Sequence, residues 1–162
     1  MSFSTIDLSV PLSTDGHAVH HLIANCSPLD QNSMYCNLLQ ATHFASTSVS
    51  AKRGGELVGF ISGYALPERP DTLFIWQVAV DESARGCGLA LSMLQHILQR
   101  PHCSAINTLE TSITESNQAS WALFRRLASN LNTRVEESTL FDHVDHFRGS
   151  HDTETLVRIG PF

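Results

Sequence analysis

The sequence predicts an α/β or α+β domain, a sheet of strands with helices on its faces. Two observations carry this. Residues 72–99 read as a strand, a glycine-bearing turn and a helix. Leu73, Phe74, Ile75, Val78, Ala79 and Val80 form a nearly continuous apolar run, as a strand buried on both faces requires. Asp81, Glu82 and Ser83 end that run with turn and cap chemistry, and Leu91, Leu94, Ile97 and Leu98 then recur at helical spacing. Second, strand-like and helix-like stretches alternate along the rest of the chain.

In order, Ile6, Leu8 and Val10 alternate with polar residues and predict an opening strand. Ser13, Thr14, Asp15 and Gly16 can cap a helix with a stripe of Val19, Leu22 and Ile23. Residues 27–33 have loop composition; a second helix follows, with Tyr35, Leu38, Leu39 and Phe44 as its apolar positions. Residues 47–51 and 57–64 predict a hairpin around Arg53, Gly54 and Gly55, closed by Pro67 and Pro70. After the central strand and helix, Ile106, Leu109 and Ile113 predict a strand. Residues 117–131 predict a helix with Ala119, Trp121, Leu123, Phe124 and Leu127 apolar. Val135, Leu140 and Phe141, then Leu156, Val157 and Ile159, predict a closing pair of strands. No repeat or linker interrupts residues 1–162, which read as one domain.

The composition narrows the class. With 42% hydrophobic and 16% charged residues the chain reads as globular. A net charge of -6 without a basic stripe argues against a nucleic-acid partner. No apolar run is long enough for a membrane span, and residues 1–7 lack the parts of a signal peptide. The four cysteines, Cys26, Cys36, Cys87 and Cys103, show no paired motif, as expected of a reduced cytoplasmic protein.

The turn Arg85-Gly86-Cys87-Gly88-Leu89-Ala90 carries the first functional signal. Such a turn bares backbone N–H groups at a positive helix end, and glycine holds no side chain against a phosphate. It has neither the G-K-[ST] ending of a nucleoside-triphosphate loop nor the GxGxxG dinucleotide pattern. It does match [Q/R]-x-x-G-x-[G/A] through Arg85, Gly88 and Ala90, which resembles the pyrophosphate loop of the GNAT N-acetyltransferases. A plain strand-to-helix turn is the alternative. Residues 117–124, NQASWALF, fit a second GNAT pattern, N-x-x-[AS]-x-x-L-[YF]. That resemblance implies a mostly antiparallel mixed sheet splayed at its central strands, and an acetyl-CoA co-substrate. It implies cofactor contacts from Val78, Val80, Arg85, Gly86, Cys87, Gly88, Leu89, Ala90, Asn117 and Phe124. Asn117 takes the place of a pantetheine contact. Phe124 stands where many members carry a tyrosine thought to protonate the leaving thiolate; a phenyl ring has no proton to give, and core packing is the plainer reading.

A narrower resemblance spans most of the chain. Residues 29–44 (LDQNSMYCNLLQATHF), 55–64 (GELVGFISGY), 70–90 (PDTLFIWQVAVDESARGCGLA), 109–128 (LETSITESNQASWALFRRLA) and 146–160 (HFRGSHDTETLVRIG) resemble the L-2,4-diaminobutyrate acetyltransferases of ectoine biosynthesis. Departures are Cys87 in place of a common glutamine, Gln31, and Arg148-Gly149-Ser150. The resemblance implies acetyl transfer to the γ-amine of diaminobutyrate, in osmotic stress protection, by a cytoplasmic homodimer.

That chemistry sets requirements. An ammonium cannot attack a thioester, and removing its proton near pH 7 costs roughly 4–5 kcal/mol for a Lys-like amine. A base or a water path must take it. The α-amine is the less basic of the two, so position rather than acidity must select the γ-nitrogen. Acidic groups should hold the α-ammonium. Asp30, on the loop entering the second helix, and Glu154, on the loop after His151, are candidates by loop position and resemblance; a solvated surface acid is the alternative for each. Glu110, on the strand beside the motif strand, is a third. Trp76 interrupts an aliphatic strand and could wall the amine site with its π-face or belong to the core. Tyr35 could donate a hydrogen bond or only pack; His151 could be a base or a donor, or a solvated loop histidine. The GNAT resemblance implies that Val78 offers its backbone N–H to the thioester carbonyl, where a donor aimed at developing charge is the larger catalytic effect.

Asp142, His143, Asp145 and His146 match no strong metal motif, so no metal is expected. The competing functions are an acetyltransferase for another small diamine or amino acid, and a CoA-binding module without turnover, for which Phe124 speaks.

Overall fold

The computed structural model describes residues 5–162. Of the residues 1–7 considered for a signal peptide, the first four lie outside it. Seven strands are ordered β1-β2-β3-β4-β5-β7-β6. They are β1 (Ile6–Ser9), β2 (Val49–Arg53), β3 (Glu56–Leu66), β4 (Arg69–Val80), β5 (Thr108–Thr114), β6 (Val135–Phe141) and β7 (Glu154–Ile159). Four helices interleave: α1 (Gly16–Ala24), α2 (Met34–Gln40), α3 (Leu89–Leu98) and α4 (Gln118–Asn130). The β4–β5 pair is parallel, and the pairs β1–β2, β2–β3, β5–β7 and β6–β7 are antiparallel. The last registered β4–β5 pair is Ile75 with Thr111, although β4 runs on to Val80 and β5 to Thr114. This is the mixed, mostly antiparallel sheet that the resemblance implied. The described residues form two compact units, 5–64 with Trp76–Ser104, and Ala65–Ile75 with Ala105–Phe162.

In the first unit, α1 buries Val19, Leu22 and Ile23 against Cys26, Phe60 and Ala79, the i, i+3, i+4 stripe read from the sequence. Gly16 opens α1 beside Leu38, where a Cβ would overlap that side chain. Successive strand residues face opposite ways, so Gly59, next to Phe60, presents its other side to Met93 of α3. Gly54 and Gly55 turn the β2–β3 hairpin at φ 57° and 86°, the paired positive values of a tight hairpin turn.

Three expectations need correction. Helix α2 is capped as expected, Ser33 accepting from the Cys36 N–H at 3.1 Å, but its fully buried positions are polar, Asn37 and Gln40. These lie on one face at i, i+3. Asn37 donates Nδ2 to Gln40 Oε1 at 3.0 Å and bonds His20 through Oδ1 at 2.9 Å. Tyr35 is 71% exposed instead. Strand β2 starts at Val49, because Thr47 ends a 3₁₀ turn, its N–H donating to the Phe44 carbonyl at 3.2 Å and its hydroxyl to the Gly63 carbonyl at 2.6 Å. Finally, Pro67 does end β3, but Pro70 lies inside β4 as its second residue, near a strand start that tolerates a missing N–H.

In the second unit, Leu109 and Ile113 of β5, Val157 and Ile159 of β7, and Trp121, Phe124, Leu127 and Ala128 of α4 are buried. Trp121 donates Nε1 to the Thr114 carbonyl at 3.1 Å. Among the described residues no helix is long and apolar enough to cross a membrane.

Candidate active site

The first unit carries the glycine loop. Beyond β4, the Asp81 carboxylate accepts from the backbone N–H of Ser83 at 3.0 Å and from its hydroxyl, closing a 3₁₀ turn over Glu82–Ala84. The Ser83 hydroxyl, then its N–H, holds the Asp81 pKa below the ordinary carboxylate value. Arg85 folds back and donates Nε to the Val80 carbonyl at 3.0 Å. Cys87 is exposed, its Sγ donating to the Ala84 carbonyl at 3.2 Å. Gly86 and Gly88 have φ 79° and 77°, a region that side chains strain to enter. A Cβ on either would meet nothing within 4 Å. Gly88 is the N-cap of α3, and no side chain caps that helix. Leu89 is buried. The loop thus offers backbone donors at a positive helix end beside open space. These residues fit a pyrophosphate group.

The same unit holds one set of acceptor candidates. Asp30 is exposed, and its backbone carbonyl accepts from Gln77 Nε2 at 2.7 Å. Asn32 donates Nδ2 to Gln77 Oε1 at 2.8 Å. Trp76 is 41% exposed and meets Tyr64 edge-on at 6.3 Å between ring centroids. Tyr64 in turn lies 5.6 Å from Phe44, and burial pushes its phenol pKa up. Val78, between buried Gln77 and Ala79, is half-buried. Sequence reasoning missed Gln77, Asn32 and Tyr64. The signal for Gln77 was a primary amide at the inward position of an otherwise apolar strand.

The second unit holds the rest. Glu110 is 3% exposed. Arg69 donates Nη1 to its Oε1 at 2.7 Å and Nη2 to its Oε2 at 3.2 Å, and Arg158 donates Nη1 to Oε1 at 2.6 Å. Its carboxylate is committed to two guanidinium groups. Sequence reasoning missed both arginines, which are neighbours of Glu110 only through the sheet. Glu154, expected on a loop, is the first residue of β7, registered with Thr114 and Phe141; it is half-buried. His151 Nε2 lies 3.9 Å from Glu154 Oε1, its Nδ1 donates to the Asp152 carbonyl at 2.7 Å, and its ring lies 4.6 Å from Phe147. Asn117 caps α4, its Oδ1 accepting from the Ser120 N–H at 3.2 Å, which orients its amide. Phe124, on the buried face of α4, is 2% exposed, so its ring is spent on packing and presents almost no surface to a cofactor.

The Asp/His run is a hydrogen-bonded turn. Asp142 accepts from the N–H groups of Val144 and Asp145 at 2.8 and 2.9 Å, and His143 Nδ1 donates to the His151 carbonyl at 2.6 Å. Among the described residues no three His, Cys, Asp or Glu side chains group to hold a metal ion.

The model of the acetyltransferase (GNAT) family matches residues 17–128. The L-2,4-diaminobutyric acid acetyltransferase of Methylotuvimicrobium alcaliphilum is 58% identical over 157 residues, 97% of this chain and 91% of the relative. That of Vibrio cholerae is 53% identical over 92% of this chain and 86% of its own length. Among solved structures, the diaminobutyrate acetyltransferase of Paenibacillus lautus, in complex with its substrate L-2,4-diaminobutyric acid and coenzyme A, superposes with a TM-score of 0.93 at 34% identity over 98% of this chain and 96% of that one. The ribosomal-protein-S18-alanine N-acetyltransferase of Escherichia coli, at 18% identity and a TM-score of 0.71 over 97% and 94% of the two chains, shares the fold. With its glycine loop, its sheet and relatives of this kind over nearly its whole length, the chain belongs to the acetyltransferase (GNAT) family, in the group of the L-2,4-diaminobutyric acid acetyltransferases.

Proposed function

We propose that this chain transfers the acetyl group of acetyl-CoA to the γ-amine of L-2,4-diaminobutyrate, a step of ectoine biosynthesis in osmotic stress protection. The observation that carries the reading is the 58% identity to a diaminobutyrate acetyltransferase over 97% of the chain. Residues 1–162 act as a single GNAT domain in a cytoplasmic homodimer, without nucleic-acid or membrane partners.

Acetyl-CoA supplies the thioester. The backbone of Arg85, Gly86, Cys87, Gly88, Leu89 and Ala90 holds its pyrophosphate at the α3 N-terminus, where helix dipole and bare N–H groups favour an anion. Val80 and Asn117 serve the pantetheine arm. The Val78 N–H faces the thioester carbonyl, and a donor placed there lowers the barrier by meeting charge as it develops.

Asp30 holds the α-ammonium of the acceptor, which keeps that nitrogen charged and directs attack to the γ-nitrogen. Trp76 walls the amine, with Tyr64 setting its ring, and Tyr35 donates to the acceptor. Glu154, beside His151, takes the proton from the γ-ammonium directly or through water. Glu110 serves at one remove, by fixing Arg69 and Arg158.

The test is thiol release from acetyl-CoA with diaminobutyrate, compared with ornithine, lysine and diaminopropionate, and the product nitrogen assigned by NMR. Release with diaminobutyrate and acetyl on Nγ is expected. No release, or preference for another diamine, overturns the reading.

A further inference from the structure

We propose that Gln77 is a positioning residue for the acceptor, acting by holding the main chain at Asp30 against β4. This rests on the reading of Asp30 as an acceptor-binding group.

Along the end of β4, Ile75, Gln77 and Ala79 are buried, while Trp76 is exposed and Val78 half-buried. At the end of that row Ala79 packs with Val19, Leu22, Ile23, Cys26 and Phe60 in the core under α1. An aliphatic residue at position 77 would serve packing alone. A primary amide at 8% exposure is favourable only when both its ends are bonded. Both are, and by one short segment. Gln77 Nε2 donates to the Asp30 carbonyl at 2.7 Å, and Gln77 Oε1 accepts from Asn32 Nδ2 at 2.8 Å. The main chain of Gln77 is held in turn, its N–H donating at 3.2 Å to the hydroxyl of fully buried Ser62.

The segment so held has no regular structure of its own between Asp30 and the Ser33 cap of α2. Leu29 tethers its near end, its N–H bonding the Cys26 carbonyl at 2.9 Å. The two Gln77 bonds therefore fix where Asp30 stands relative to Trp76 and Val78, the chain neighbours of Gln77 itself. One side chain thus sets the distance from the acid to the aromatic wall and to the proposed carbonyl donor. Small displacements of a binding group are expensive in rate because the reacting atoms must meet in a narrow geometry.

The experiment measures steady-state kinetics for Gln77→Met, which keeps the length and removes the amide, for Asn32→Ala, for Asp30→Asn and for the double variant Asp30→Asn/Gln77→Met. Acetyl-CoA affinity and melting temperature are measured alongside. Gln77→Met should lower kcat/KM for diaminobutyrate about tenfold, chiefly through KM, and leave acetyl-CoA affinity unchanged. Asn32→Ala should act in the same direction without touching the core. The double variant should be within about twofold of Asp30→Asn alone, since two residues acting through one contact are not additive. If Asp30→Asn loses activity while Gln77→Met and Asn32→Ala retain it, or if the losses multiply in the double variant, the positioning role is overturned and the Asp30 reading stands. If Asp30→Asn itself keeps full kcat/KM, the Asp30 reading falls. Should Gln77→Met fail to fold, Asn32→Ala decides the same question by the same change in KM.

Discussion

Arg158 donates to Glu110 at 2.6 Å from the register position directly opposite on β7, so the ion pair bridges two strands of the sheet. Burial alone would raise the Glu110 pKa; hydrogen bonds and charge from Arg69 and Arg158 outweigh it and hold the carboxyl below its ordinary value. Arg69 is raised reciprocally by its bond to Glu110.

The first prediction follows by linkage. Because the folded pKa of Glu110 is depressed, its stabilisation is fully present above the unfolded value of about 4.3 and is lost as pH falls through the folded value. Glu110→Gln should destabilise the protein at pH 7 by about 1.5–3 kcal/mol, the scale of a charged hydrogen bond. Both arginines are partly exposed and can rehydrate, which keeps the loss below that of a fully buried pair. The difference between wild type and variant should shrink as pH falls below about 4.3, as urea midpoints at several pH values will report. A constant difference would mean that Glu110 acts through packing.

The second prediction concerns the glycine loop. Gly88 sits at φ 77° with open space where a Cβ would point. Gly88→Val should strain the backbone and put a branched side chain in the phosphate path, raising the acetyl-CoA dissociation constant at least about tenfold, or 1.4 kcal/mol. Gly88→Ala should fall between. Calorimetric titration of folded variants decides, and unchanged affinity would remove the pyrophosphate from this loop.

The third concerns Phe124, 2% exposed on the buried face of α4. Phe124→Tyr must bury a hydroxyl and should lower stability by about 1–3 kcal/mol if that group finds no partner. It should not raise kcat by the hundredfold or more that a new general acid can supply. A gain of that size would show thiolate protonation to be limiting.

What the sequence made legible was local. The β4 apolar run, the positive-φ glycines and the α1 and α4 stripes are each written in neighbouring residues, and their periods survive packing. Asn37 and Gln40 were invisible because their burial depends on bonds to each other and to His20. Gln77 showed in the sequence only as an amide in an apolar strand, and its role was not legible because its partners lie 45 and 47 residues away. The Glu110 arginines come from two other strands. Glu154 read as a loop residue because the polar stretch before it hides where β7 begins.

The last prediction separates charge from proton transfer at the acceptor. Diaminobutyrate carries more positive than negative charge while its α-ammonium persists, so a carboxylate holding that group contributes binding without taking a proton. Asp30→Asn and Glu154→Gln keep size and remove charge. Each should lower kcat/KM for diaminobutyrate about ten- to a hundredfold, or 1.5–3 kcal/mol for one charge-assisted hydrogen bond. The dissociation constant of acetyl-CoA should hardly move, because its pyrophosphate is held by Arg85–Ala90. The two variants should then part in their pH profiles. A binding acid loses affinity at every pH where the α-ammonium is charged, so Asp30→Asn should run parallel to wild type. A base becomes dispensable when the amine sheds its proton unaided, so Glu154→Gln should lose kcat near pH 7 and regain part of it as pH rises toward the amine's own pKa of about 10. Initial rates across a pH series, with direct acetyl-CoA titration of each variant, give both answers. Full kcat/KM in both variants would remove these acids from the acceptor. Parallel profiles in both would leave them as binding groups and assign the proton to water.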